Sequence, residues 1–231
     1  MNVAIIPARG GSKRIPRKNI RQFCGRPMIA WSIESAADSG LFERIIVSTD
    51  DPEIAEIAIN LGAEAPFERP AYLANDHAGT LPVIRHAVDW LLDQGTVVTH
   101  ACCIYATAPF LRAEDLKIAR VIMEDPALHF VFSITRFAFP IQRAFQLDED
   151  NSLSMFWPEY ELARSQDLPV AFHDAGQFYW GTADAWRTRE RIYTSNCRGH
   201  EIPEERVQDI DNECDWRVAE LKFNLLAKLE S

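Results

Sequence analysis

Apolar residues in the first two-thirds of the chain fall into short unbroken runs separated by stretches with helical spacing. Asn2 to Ala8 has the pattern of a strand buried on both faces. MIAWSIESAADS, after Pro27, is helical in composition, and Gly40 supplies its stop. Arg44 to Thr49 (RIIVST) predicts the next strand. A helix opening at Asp51 or Pro52 then carries Ile54, Ile57, Ala58 and Leu61 at i, i+3, i+4 and i+7, and ends at Gly62. Leu81 to Asp93 repeats that spacing with Ile84, Ala87, Val88 and Leu91. Val97 to Tyr105 predicts a strand, Ala113 to Met123 a helix, and Phe130 to Thr135 another strand. Such alternation builds parallel βαβ units, so the expected fold class is α/β with a doubly wound, mostly parallel sheet.

The rhythm breaks between Arg136 and Gly181, where aromatics, prolines and charges mix and strand-like pieces such as Gln177 to Trp180 are short. We read residues 1–231 as a single domain in which about 137–181 form an insertion, contributing to a substrate site and a dimer contact. Regularity returns near the end. Arg206 to Ile210 predicts a short strand, and Asp211 or Asn212 caps a helix whose apolar face carries Val218, Leu221 and Leu225.

Composition narrows the possibilities. At 231 residues and 47% hydrophobic, the chain can bury a core without metal or disulfide staples. Its net charge of −10 argues against a nucleic-acid partner. The five cysteines show no CxxC pairing or zinc-like spacing. No apolar run approaches a membrane span, and the opening MNVAIIPARGG lacks the basic lead of a signal peptide. The expectation is a reduced, cytoplasmic protein without a membrane partner.

One segment opposes the acidic bias. Arg9 to Arg21 holds six of the 24 cations (Arg9, Lys13, Arg14, Arg17, Lys18, Arg21) and none of the 34 acids. Gly10, Gly11 and Ser12 follow the first strand directly, where a turn can aim N–H groups at an anion. In doubly wound sheets, loops beyond the carboxyl ends of strands line the ligand crevice. A triphosphate fits this loop; a solvated basic turn is the plain alternative. The string is neither GxxxxGK[ST] nor GxGxxG.

A second signal is Val207-Gln-Asp-Ile-Asp211. In an extended strand Asp209 and Asp211 project together, and paired hard oxygen ligands suit Mg²⁺ completed by waters and substrate phosphates. The alternative makes Asp211 a helix cap and Asp209 a surface residue. The rival trio Asp148-Glu149-Asp150, beside Asn151, reads as a solvated hairpin tip.

IPARGGSKRIPRKNI, the PM helix, VSTDD and the late DID followed by a helix resemble the cytidylyltransferases that activate nine-carbon α-keto acid sugars. These are the CMP-sialic acid synthetase family and its CMP-Kdo relatives, and the resemblance spans essentially the whole chain. FPIQRA (139–144) and ARSQDLPVAFHDAGQFYWG (163–181) are similar to the branch acting on pseudaminic acid. The resemblance implies a nucleotide-diphospho-sugar transferase (GT-A-like) fold, CTP and a nonulosonic acid as substrates, Mg²⁺ as cofactor and a homodimer.

It further implies a nucleotide site at Ala8, Arg9, Gly10, Gly11, Ser12, Lys13, Lys18, Asn19, Arg69 and Thr80, and a metal site at Asp209 and Asp211. Arg9, Lys13, Lys18, Asp209 and Asp211 would carry the chemistry. The expected sugar contacts are Tyr105, Gln142, Arg143, Arg164, Gln177 and Tyr179, with Arg164 first and Arg143 second for the sugar carboxylate. Tyr105 in YATAPFLR replaces a usual glutamine, and Gln142 a common lysine, which points away from N-acetylneuraminate. Competing readings are a CMP-legionaminic or CMP-N-acetylneuraminic acid synthetase, a GT-A glycosyltransferase, and a non-catalytic nucleotide-binding regulatory domain.

Overall fold

The computed structural model describes residues 1–229. The elements run β1 (Asn2–Pro7), β2 (Gln22–Phe23), β3 (Arg26–Pro27), α1 (Met28–Ser39), β4 (Arg44–Ser48), α2 (Pro52–Asn60), α3 (Thr80–Asp93), β5 (His100–Ile104) and α4 (Ala113–Ile122). They continue with β6 (Phe130–Arg136), β7 (Phe145–Leu147), β8 (Leu153–Met155), β9 (Phe172–Thr182), α5 (Ala183–Thr188), β10 (Cys197–Glu201) and α6 (Glu213–Leu229). Six strands form one sheet in the order β10-β6-β9-β5-β1-β4. β1 runs parallel to β4 and β5, and β10 parallel to β6, while β9 is antiparallel to both of its neighbours. The sheet is therefore mostly parallel, as the alternating pattern predicts.

Strand residues alternate between two apolar layers. Ala4, Ile6, Val47, Cys102, Ile104 and Trp180 pack with α1, α2 and α4, whereas Val3, Ile5, Ile46, Cys103 and Tyr179 pack with α3 and α5. Period-two alternation puts helices on both faces, and each fully buried Ile or Val contributes about 1.5–3 kcal/mol. The helix ends follow their sequence signals. Gly40 is left-handed at φ 65° and closes α1, and Asp51 accepts from the Glu53 and Ile54 amides at the start of α2.

Three expectations change. The stretch expected as an insertion divides in two. Its earlier part carries the small β7–β8 hairpin, but Phe172–Thr182 is the long strand β9 in the middle of the main sheet. The periodicity hides it because β9 bulges opposite Ser133, where Gly176 turns at φ 63°. No strand forms over Arg206 to Ile210; a 3₁₀ turn (Glu204–Arg206) leads into irregular chain. In α6, Trp216, Ala219, Phe223 and Leu226 pack against Phe23, Trp31 and Phe110, leaving Val218, Leu221 and Leu225 exposed. Both stripes have helical spacing, and the aromatic one buries more apolar area. Among the described residues no helix is long and apolar enough to cross a membrane.

Candidate active site

The loop after β1 sorts its cations by partner. Arg9 donates to Asp76 at 2.5 Å and Lys13 to the other oxygen of Asp76 at 2.6 Å. Arg14 donates to Asp211 at 2.8 Å, and Lys18 donates to the Ile210 carbonyl at 2.6 Å while lying 4.0 Å from Asp211. Arg17 and Arg21 turn away, the first to Asp51 and Glu53, the second to Glu213 and over the Trp216 ring. Arg9, Ser12, Lys13, Arg14, Lys18, Asn19, Asp76 and Asp211 enclose a 400 Å³ cavity.

Charge there comes from side chains more than from loop amides. The Gly10 N–H donates to Asp50 at 3.0 Å and the Ser12 N–H to the Gly10 carbonyl at 3.0 Å. Gly10 is required sterically, since a Cβ would lie 2.5 Å from an Asp51 oxygen; at Gly11 nothing lies within 4 Å. Asn19 ties the loop together by donating to the Arg9 carbonyl at 2.9 Å. Burial lowers the Lys18 pKa, opposed by Asp211 and Asp209. The hydrogen bonds from Lys13 and Arg9 hold the Asp76 carboxyl at about 2.

The acidic segment borders this cavity. Asn212 caps α6 by accepting from the Cys214 and Asp215 amides at 2.8 and 3.1 Å, and Asp215 accepts in return from the Asp211 and Asn212 amides. Asp211 is thus released from capping. Desolvation and the neighbouring Asp211 raise the Asp209 carboxyl pKa. Asp209 lines a different cavity, so the short segment 209–211, with Ile210 buried between its two aspartates, contributes an acid to each. Among the described residues no cluster of three or more His, Cys, Asp or Glu could hold an ion alone. Two repelling carboxylates beside an anion pocket fit a hard cation that takes its other ligands from water and phosphate.

The second cavity, of 600 Å³, is lined by Tyr105, Thr135, Asp174, Tyr179, Asp209 and Lys222 among others. The β9 bulge aims its wall: Tyr179 donates to Asp174, and Tyr193 donates to the same oxygen at 2.9 Å. Burial raises both the Tyr105 and Tyr179 hydroxyl pKa values, keeping these groups neutral donors. The Tyr105 hydroxyl also meets Thr80 at 2.6 Å. The buried Thr135 hydroxyl has no partner within the described residues.

Other expected contacts lie apart. Ala8 is buried at the end of β1. Arg69 is buried outside both cavities, bonding to Ser48, and burial lowers its pKa to about 10. Gln177 sits buried behind the second cavity, donating to the Arg206 carbonyl at 2.7 Å. Gln142 donates to the Pro169 carbonyl at 3.1 Å, and Arg143 lines a separate hollow with Phe145 and Glu161. Arg164 is exposed, lines neither cavity and forms no ion pair with Asp167 or Glu161. Sequence reasoning missed Arg14, Asp76, Thr135, Asp174 and Lys222 as cavity-lining residues. Arg14 lay in the cation cluster, while Asp76 and Lys222 carried no local signal because only tertiary folding brings them here.

The sequence profile of a family described as cytidylyltransferase matches residues 3–223. The chain belongs to the cytidylyltransferase family. It is 44% identical over 224 residues, 97% of each chain, to a pseudaminic acid cytidylyltransferase of Campylobacter jejuni serotype O:2. It is 30% identical to a CMP-N,N'-diacetyllegionaminic acid synthase of the same organism, covering 95% of this chain and 94% of that one. A solved CMP:2-keto-3-deoxy-manno-octonic acid synthetase complexed with CTP superposes with a TM-score of 0.70 at 19% identity, covering 98% of both chains, and so shares the fold. This cytidylyltransferase is an enzyme of the nucleotidyltransferase class.

Proposed function

We propose that this cytidylyltransferase joins CTP to pseudaminic acid, giving the CMP-sugar and pyrophosphate, with Mg²⁺ as cofactor. The observation carrying the reading is that segment 209–211 contributes an acid to each of two cavities, one cationic and sized for phosphates, the other lined by tyrosines. The sugar assignment draws on the 44% identity to the Campylobacter enzyme.

In this mechanism Arg9, Lys13, Arg14 and Lys18 hold the triphosphate, replacing their contacts with Asp76 and Asp211. The sugar acid occupies the larger cavity with its C2 hydroxyl toward Asp209. That oxygen gives up its proton to solvent and attacks the α-phosphorus in line; the new O–P bond forms as the α–β bridging P–O bond breaks, and pyrophosphate leaves with the bridging oxygen and its charge. Asp209 and Asp211 would hold Mg²⁺, which would supply charge neutralisation at phosphate oxygens and make the attacking hydroxyl more acidic. The basic side chains stabilise charge growing on the leaving group, and the two walls orient the reactants.

A homodimer is part of the proposal. The segment between β6 and β9 exposes apolar side chains out of proportion to its size, including Leu162 at 95% and Phe139 at 82%. Pairing through this face would let Arg143 and Arg164 approach a partner's cavity. Five free cysteines, two of them buried, support a reducing, cytoplasmic setting.

The test is pyrophosphate release by purified protein with Mg²⁺, CTP or UTP, and a panel of pseudaminic, legionaminic and N-acetylneuraminic acids. The expected result is turnover with CTP and pseudaminic acid far above every other pair. Equal turnover with UTP, or a preference for another acid, contradicts the reading.

A further inference from the structure

We infer that Lys222, on the final helix, holds the carboxylate of the sugar acid beside the aspartate pair. The inference rests on the function proposed above and names a substrate contact within it.

The substrate brings a negative charge into a cavity already lined by three acids, Asp174, Glu204 and Asp209. Such a group enters only where a cation meets it. The cavity wall offers two lysine or arginine side chains, Arg136 and Lys222, and one histidine, His173, whose Nδ1 is turned to the Asp174 carbonyl at 2.9 Å. The Arg136 guanidinium is engaged by Glu201 at 2.6 and 3.4 Å and lies 5.7 Å from the Phe172 ring. Among the described residues Lys222 makes one hydrogen bond, donating to the uncharged Val207 carbonyl at 2.9 Å. An ammonium has three N–H donors, so Lys222 retains donors for an incoming anion.

Its position matches the chemistry. In an α-keto acid sugar the carbon bearing the attacking hydroxyl also bears the carboxylate, so the two groups must bind side by side. The hydroxyl has to lie toward Asp209, and Val207, where Lys222 is anchored, lies two residues before it. α6 directs the residue there because Trp216, Ala219, Phe223 and Leu226 fix the helix against the first helix and its leading loop. Arg143 and Arg164 cannot serve this cavity within one subunit, since one lines another hollow and the other lines neither cavity.

The experiment measures KM for pseudaminic acid and for CTP, by pyrophosphate release at saturating Mg²⁺, in wild type, Lys222→Met, Lys222→Arg and Arg164→Ala. Losing a charge-assisted contact should raise the sugar KM of Lys222→Met about tenfold to a hundredfold. The CTP KM should stay within about twofold of wild type and Lys222→Arg should recover most of the loss, as expected for one ionic contact. An unchanged sugar KM in Lys222→Met overturns the inference and leaves the proposed function standing. So does a parallel rise in both KM values, which would mean that Lys222 only braces the Val207 backbone. A sugar KM that responds to Arg164→Ala alone assigns the carboxylate to the arginine. Wild type that turns over none of the nonulosonic acids overturns the proposed function, and this inference with it.

Discussion

Lys18 donates its ammonium to the Ile210 carbonyl at 2.6 Å, fastening the loop after the first strand to the acidic segment 192 residues later. Ile210 is buried, and the flanking aspartates open toward separate cavities. Lys13 and Asp209 therefore do not share a hollow; Lys13 shares one with Asp211, and the irregular segment 209–211 contributes one acid to each. Both carboxylates act electrostatically on the Lys18 ammonium. Lys18→Met should lower kcat about a hundredfold or more, the scale for losing one preorganised charge-stabilising group. Steady-state pyrophosphate release at saturating substrates measures it.

Asp76 pairs with both Arg9 and Lys13, the side chains proposed to meet the phosphates. Binding of the triphosphate must break both contacts, which are solvent-exposed and individually weak. Asp76→Asn should lower the CTP KM by up to about fivefold with little change in kcat, the scale for losing two weak exposed ion pairs. An increased CTP KM would instead make Asp76 part of the nucleotide site.

Behind the acidic segment, Arg206 donates to both oxygens of buried Asp115 at 2.6 and 3.0 Å, and His200 meets Asp115 at 3.1 Å. Burial alone would raise the Asp115 carboxyl pKa, but the hydrogen bonds from His200 and Arg206 outweigh it and hold the group at about 2. A folded value below the ordinary 3.8 means that the contribution is present above about pH 4 and is lost as pH falls toward 2. The difference amounts to about 2 kcal/mol at neutral pH. Denaturant titrations between pH 2 and 7 should show this loss, and Arg206→Ala should cost about 3–5 kcal/mol at pH 7 by stranding Asp115.

The proposed dimer face centres on the exposed segment between β6 and β9. Leu162→Glu places a charge on its most exposed apolar side chain and should shift the protein from dimer to monomer in sedimentation. Wild type sedimenting as a monomer at micromolar concentration would remove the dimer from the account.

Much of the fold was legible because its signals are local. The short apolar runs became strands β1, β4, β5 and β6, and Gly40 and Asp51 bound helices where their chemistry predicts. The hairpin tip was legible too: Asp148 accepts from the Asp150 and Ser152 amides, and Asn151 is left-handed at φ 61°. β9 was illegible because a bulge breaks its alternation, and the buried face of α6 because two apolar stripes competed on one helix. In the site, the cation cluster was visible as composition, but the separation of Arg14 and Lys18 from Arg17 and Arg21 depends on acids distant in sequence. The same holds for Lys222, whose neighbours on α6 give no hint of a cavity.

The account stands most directly on Asp209 and Asp211 acting together through a divalent ion on the nucleotide tail. The decisive measurement is pyrophosphate release from CTP and pseudaminic acid across a Mg²⁺ titration, for wild type, Asp209→Asn and Asp211→Asn. The account predicts turnover that requires Mg²⁺ in wild type and falls about a hundredfold or more in each variant even at saturating metal. Either variant turning over at close to the wild-type rate would contradict it.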